Sequence, residues 1–216
     1  MTLLRQGLVG PDPPKLGESR GGTLPLTAYR AVTTLLEPFA PALLRRRAEA
    51  GKEDPARLAE RLGRPGAARP GGPLVWLHGV SVGETTSLLP LVEALRARRP
   101  DLRLLVTCGT VTAAALLARR LPGGVVHQFA PVDAPGAVGR FLDHWRPGLA
   151  VFVESELWPN LLVAARRRGV RLALVSARMT QASAARWARW PGSARALLGA
   201  FDLILPQDEA AAARLA

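Results

Sequence analysis

Three features of the sequence predict an α/β fold built on a mainly parallel sheet with helices on both faces. Short apolar runs alternate with stretches of helical periodicity from Leu74 onward. The runs are nearly continuous in Leu, Val, Ile and Ala, as strands covered on both faces are. A helical stretch separates each run from the next, which supplies the crossover that parallel neighbours need.

In order, LVWLHGV (74–80) predicts a buried strand and TTSLLPLVEALRARR (85–99) a helix. LRLLVT (102–107) is a strand, followed by a helix over VTAAALLARRL (111–121). GVVHQFA (124–130) and APGAVGRFLDHW (134–145) form the third pair, LAVFVE (149–154) and LWPNLLVAARRRG (157–169) the fourth. VRLALVSA (170–177) is a strand, then ASAARWARWPGSARALLG (182–199) is helical with a break at Pro191. FDLILPQ (201–207) is the last strand, and DEAAAARLA (208–216) begins a helix.

The first 73 residues differ in texture. Residues 1–22 carry repeated Gly and Pro and are expected to be a flexible leader; they lack the apolar run and cleavage site of a signal peptide. Leu24 to Leu44 is an apolar stretch of 21 residues. It is long enough to cross a bilayer, but it contains Arg30, Glu37 and three prolines. A charge at mid-membrane costs about 2.5–3.5 kcal/mol on insertion scales. A helix over 23–47 lying in the membrane interface, ending on Arg45, Arg46 and Arg47, is therefore favoured over a span; an ordinary amphipathic helix packed on the domain is the alternative. Residues 48–73 predict a short polar helix, opened by Asp54 and Pro55, and then the linker ARPGGP (68–73). The folded α/β domain is expected over 74–216.

Composition narrows the function classes. Hydrophobic residues make up 48% of the 216, which excludes a disordered chain. Net charge is +12, with 27 Arg against two Lys, which suits an anionic partner: nucleic acid, a membrane surface or a phosphorylated substrate. A compositional bias toward Arg explains the charge equally well. The lone Cys108 excludes an intrachain disulfide framework and a Cys-based zinc site, and His78, His127 and His144 are not at metal-ligand spacing. Neither G-x-G-x-x-G nor the P-loop pattern occurs.

In an open parallel sheet, ligands bind at the carboxyl ends of the strands. Three such ends carry unusual polar content. HGVSVGE (78–84) places Gly79 and Gly83 at a tight turn and Glu84 at a helix start, where it is either a general base or a helix cap. ESELWPN (154–160) puts Glu154 and Glu156 at a strand mouth; a functional acid pair, an ion pair with an arginine, and a metal site are the readings, the last the weakest. SARMT (176–180) offers Arg178 to a phosphate or carboxylate, or to an ion pair with Glu154 or Glu156. TCGT (107–110) adds hydroxyls and amides, with Cys108 read as a small buried residue because no His neighbours it in sequence. Asp133 is expected to cap the helix that follows it.

These residues carry a resemblance. GKEDPARLAERLGR, WLHGVSVGE, LVTCGT, FAPVDAP, RFLDHWRP, ESELWPN, SARMT and LPQDEAAAARL stand in the order and spacing of bacterial 3-deoxy-D-manno-octulosonic acid (Kdo) transferases, from about Tyr29 to Ala216. The chain departs from the family pattern at Gly79 and Val80, where two alanines are usual, and at Ser176 and Thr180, where Asn and Ser are usual. The resemblance implies one half of a B-type glycosyltransferase fold, in which two Rossmann-like halves face a cleft. It implies that the amino half holds a lipid A precursor and touches the inner membrane, while the other half, absent from this chain, holds CMP-Kdo. It assigns the base to Glu84 and a second acid to Glu154 or Glu156.

The expected function is therefore transfer of Kdo from CMP-Kdo to a lipid A precursor, in lipopolysaccharide core biosynthesis, at the cytoplasmic face of the inner membrane. Glu84, Glu154 and Glu156 are the candidate catalytic residues, and Ser81, Gly83, Thr107 and Arg178 the candidate substrate contacts. No metal or cofactor is called for, CMP-Kdo being a co-substrate. The alternative is a basic nucleic-acid-binding α/β module; an aromatic content of 5% offers it few stacking platforms.

Overall fold

The computed structural model describes residues 23–215, so the leader expected over 1–22 lies outside the described residues. The apolar stretch after Thr23 does not make one helix. It makes α1 (Leu24–Leu36), a 3₁₀ turn (Glu37–Phe39) and α2 (Ala40–Glu49). Pro38 and Pro41 cause the bend, since each lacks the N–H an unbroken helix would use and each sits in the first turn of the segment it opens. Among the described residues no helix is long and apolar enough to cross a membrane.

A 3₁₀ turn (Pro55–Arg57) and α3 (Leu58–Arg61) follow, with the Asp54 carboxylate accepting from the Ala56 N–H as a cap. This segment does more than link. Glu60 accepts the buried backbone N–H of Phe129 at 2.7 Å, and Arg57 pairs with Glu60 while its guanidinium lies 4.7 Å over the Phe129 ring. The segment thus covers the sheet edge that the third strand would otherwise expose. Gly63 makes the turn possible: its φ is +75°, and a Cβ there would stand 1.9 Å from the Ala137 carbonyl oxygen.

The sheet comprises β1 (Leu74–His78), β2 (Arg103–Cys108), β3 (Val126–Phe129), β4 (Leu149–Val153), β5 (Arg171–Ala177) and β6 (Leu203–Pro206). All pairings are parallel, in the order β3-β2-β1-β4-β5-β6. The intervening helices are α4 (Val82–Arg98), α5 (Val111–Arg120), α6 (Pro135–Trp145), α7 (Pro159–Arg167), α8 (Gln181–Trp187), α9 (Pro191–Leu198) and α10 (Glu209–Leu215). The expected break at Pro191 is the first turn of α9. Alternate residues of the strands feed two cores. Trp76, Phe152 and Leu174 pack with Phe141 and Trp145 of α6 and Leu162 of α7 on one face. Leu77, Val106 and Val151 pack with Leu88 of α4 and Leu117 of α5 on the other. Because the chain runs outward from β1 in one direction and then restarts at β4 in the other, the β1/β4 boundary is a topological switch point, where an open α/β sheet leaves a crevice at its carboxyl edge.

Candidate active site

Both acidic motifs converge on that crevice. His78 ends β1, and Gly79 lets the loop fold tightly back, since a Cβ there would meet the Glu84 and Thr85 backbone at 3.1–3.2 Å. Ser81 then caps α4: its Oγ accepts from the Glu84 N–H, and the Glu84 carboxylate accepts in return from the Ser81 N–H and Oγ. Glu84 Oε2 also accepts from the Val80 N–H at 2.8 Å. Three donors fill three of the roughly four lone-pair sites of a carboxylate. Glu84 is thus a cap and is also held in one orientation, 8% exposed, at the switch point. Gly83 is exposed on the first turn of α4 and approaches nothing closely.

Across the boundary, β4 ends in a strained turn. Glu154 adopts φ +62°, and Ser176 at the end of β5 adopts φ +50°. Two side chains in the left-handed region at adjacent strand ends are costly, and such strain concentrates at working sites. Glu154 stays tied into the ladder through its N–H to Val175 and its carbonyl to the Arg178 N–H. Glu156 feels the charges of both other acids. Burial, then the charges of Glu84 and Glu154, push its carboxyl up to about 7 against a bond from the Trp158 indole N–H, which lowers it. It titrates in the range where a carboxyl can accept or give a proton at neutral pH. Among the described residues no three His, Cys, Asp or Glu side chains group as a metal site.

Several expectations change. No ion pair joins Arg178 to Glu154 or Glu156 among the described residues; its side chain is exposed, and its carbonyl accepts the Ser155 hydroxyl. Thr107 does not reach the crevice. It is fully buried, its Oγ1 taken by the Trp76 indole N–H and by His78 Nδ1, both at 2.8 Å, because it points to the core face of β2. Cys108 does have a histidine neighbour, brought by the β2–β3 pairing: His127 Nε2 lies 3.3 Å from its Sγ. Burial pushes the thiol up to about 12 and the imidazole down to about 4, so the pair is neutral and inert.

The helix caps are exchanged relative to expectation. Asp133 does not cap α6. Its carboxylate accepts from the Asn160 and Leu161 N–H groups at the start of α7 and from the Tyr29 hydroxyl on α1. Glu37, from the bend between α1 and α2, accepts the Gly136 N–H of α6 instead and pairs with Arg140. Arg47 likewise turns away from Arg45 and Arg46, because consecutive helical residues are about 100° apart. It pairs at 3.0 Å with Glu53.

Beside the crevice lies a cavity of about 440 Å³, between α2 and the carboxyl ends of β1, β2 and β3. Val80, Thr110, Pro131 and Trp158 line it together with Leu43 and Arg61. Sequence reasoning missed this chamber. Arg47, Glu53 and Arg61 were all visible, but only the folding of α2 over the strand ends brings them together on its wall.

Residues 56–216 match the family model described as "3-Deoxy-D-manno-octulosonic-acid transferase (kdotransferase)". A 3-deoxy-D-manno-octulosonic acid transferase of Bordetella pertussis is 42% identical over 86% of this chain and 46% of its own length. A protein of Arabidopsis thaliana named "Probable 3-deoxy-D-manno-octulosonic acid transferase, mitochondrial" is 41% identical over 82% of this chain and 40% of its own. One from Rickettsia bellii is 34% identical over 84% and 43%. The chain spans less than half the length of these relatives. With the family model covering both acidic motifs and all six strands, the chain belongs to the 3-deoxy-D-manno-octulosonic-acid transferase family.

Proposed function

We propose that this chain is the acceptor-side half of an enzyme that transfers Kdo from CMP-Kdo to a lipid A precursor in lipopolysaccharide core biosynthesis. The observation that carries the reading is the oriented Glu84 carboxylate at the switch point, with Glu156 beside it, in a chain of this family. Glu84 takes the proton from an acceptor hydroxyl. That oxygen attacks the anomeric carbon of Kdo, the bond from that carbon to the phosphate oxygen breaks, and CMP leaves with the bonding electrons, with inversion. The fourth lone-pair position of the carboxylate is the one that meets the hydroxyl. CMP-Kdo would be held by a second Rossmann-like unit of the whole protein, completing a B-type fold, with no cofactor besides. Arg178, exposed just after β5, would meet an anionic group on either substrate.

A membrane-surface location on the cytoplasmic face of the inner membrane is part of the proposal. Leu24, Val32, Leu35, Leu36, Phe39 and Leu43 are all exposed along α1 and α2, with Arg30, Arg45 and Arg46 among them. The opposite side of α1 and the turn after it are bonded to the domain through Tyr29, Thr33 and Glu37. One face of the segment packs on the domain, and in this proposal the other meets the membrane surface.

A second reading is favoured by one observation: Glu156 is more open than Glu84 and titrates at about 7, as a general base would. In the full-length protein, Glu84→Gln is expected to lower kcat by on the order of 10²–10⁴-fold with acceptor KM little changed. Glu156→Gln is expected to flatten the acidic limb of the pH–rate profile with a smaller loss. The reverse pattern makes Glu156 the base and leaves Glu84 as a cap.

A further inference from the structure

The wall of the 440 Å³ cavity nearest α2 carries an unbalanced charge. Glu53, with a side chain 1% exposed, lies between two guanidinium groups: Arg47 Nε at 3.0 Å and Arg61 Nε at 3.2 Å. One carboxylate faces two cations. The Arg61 contact is also poorly aligned, so that Arg61 Nε and Glu53 Oε2 are buried without a hydrogen-bond partner. Burial and the charge of Arg47 both disfavour the charged state of Arg61, against the pull of Glu53. A guanidinium does not lose its proton in a protein, so the deficit persists as affinity for a second anion. The cavity's other carboxylate does not supply it, because Asp133 is consumed by Tyr29 and by the start of α7.

Along the same face of α2, toward its start, the cavity wall is apolar. Ala40, Leu43 and Leu44 of α2 line it, and Leu43 is also 59% exposed, so the chamber opens at the apolar outer face of the helix. A ligand that enters there passes hydrocarbon before it meets charge. We propose that this cavity binds an anionic amphiphile, with Arg47 and Arg61 holding a phosphate monoester and Ala40, Leu43 and Leu44 packing the adjoining hydrocarbon. The proposal rests on the acceptor-side reading and deepens it, by giving the acceptor's phosphate a seat separate from the acidic crevice.

The test is calorimetric titration of the chain with octyl phosphate below its micelle concentration, beside octanol and inorganic phosphate. Octyl phosphate is expected to bind at least about tenfold more tightly than either, since both the charge and the chain are recognised. Arg47→Gln, at a half-exposed position, is expected to weaken it by about tenfold or more. Arg61→Gln alone leaves Glu53 short of a partner and risks unfolding, so it is made with Glu53→Gln, and the pair is expected to fold and to lose the preference over octanol. Arg45→Gln with Arg46→Gln, on the outer face, is expected to leave the octyl phosphate affinity unchanged. Equal affinity for octyl phosphate and octanol overturns the anion site. Equal affinity for inorganic phosphate overturns the amphiphile and leaves a free-phosphate site. Weakening by the outer pair in place of Arg47 moves the binding to the helix surface and overturns the cavity. Sugar transfer is not read, so loss of the Glu84 mechanism would leave these results untouched.

Discussion

At the residue scale, Glu156 and two histidines pull the stability of the fold in opposite directions with pH. Glu156 has a folded pKa of about 7 against an ordinary value of 4.5. The folded state therefore holds the proton more tightly, and stability is lost as pH rises through that window. His78 and His127 are pushed from 6.5 down to about 4, each chiefly by burial, so the unfolded state holds their protons more tightly and stability is lost as pH falls from 6.5 toward 4. In Glu156→Gln the Glu156 dependence is removed and the histidine dependence is kept. The variant is expected to gain melting temperature relative to the parent at about pH 8 and to match it near pH 4.5. Melting curves across that range check this; a difference that does not change with pH would show that Glu156 is not perturbed by its surroundings.

At the scale of elements, one carboxylate organises three. Asp133 ties α1, the turn after β3 and the start of α7, and Asn160 adds bonds to the Asp133 carbonyl and the Thr33 hydroxyl. Asp133→Ala removes a cap and strands buried donors, for an expected loss of about 2–4 kcal/mol in denaturant unfolding. Tyr29→Phe is expected to cost about 1 kcal/mol, since it removes a single bond from α1. Equal costs for the two would mean that the α7 cap contributes nothing. The outer face of α1 and α2 makes a separate prediction. Phe39→Ser with Leu43→Ser should reduce cosedimentation with anionic liposomes without changing the unfolding free energy by more than about 1 kcal/mol, because both side chains are exposed. Liposome binding that survives the change would place membrane contact elsewhere.

At the scale of the whole molecule, glycosyl transfer needs donor and acceptor held together, since much of the rate comes from positioning them. In the proposed reaction this chain would supply one wall of a cleft, with Glu84, Glu154 and Glu156 at strand ends, and it spans under half the length of the relatives compared. It is expected to fold alone, with its two cores closed on either face of the sheet, and to give no transfer above a no-protein control when mixed with CMP-Kdo and acceptor. Product in that assay would show that this half binds the donor as well.

The strands and helices were legible before the structure because apolar runs buried on both faces and helical periodicity are local patterns. From β1 onward observed ends differ from expected ones by only a few residues; α4, for one, starts at Val82 because the Ser81–Glu84 cap draws the loop into the helix. The acidic motifs were legible as well, since unpaired carboxylates at strand ends stand out in an apolar sequence. Their convergence was not, because it depends on β4 lying beside β1, a pairing across about seventy residues. The same holds for the Asp133 and Glu37 caps, the burial of Thr107 and the Arg47–Glu53–Arg61 wall. Each depends on which side chain meets which across the packed layers, and neither periodicity nor turn chemistry encodes a partner that distant.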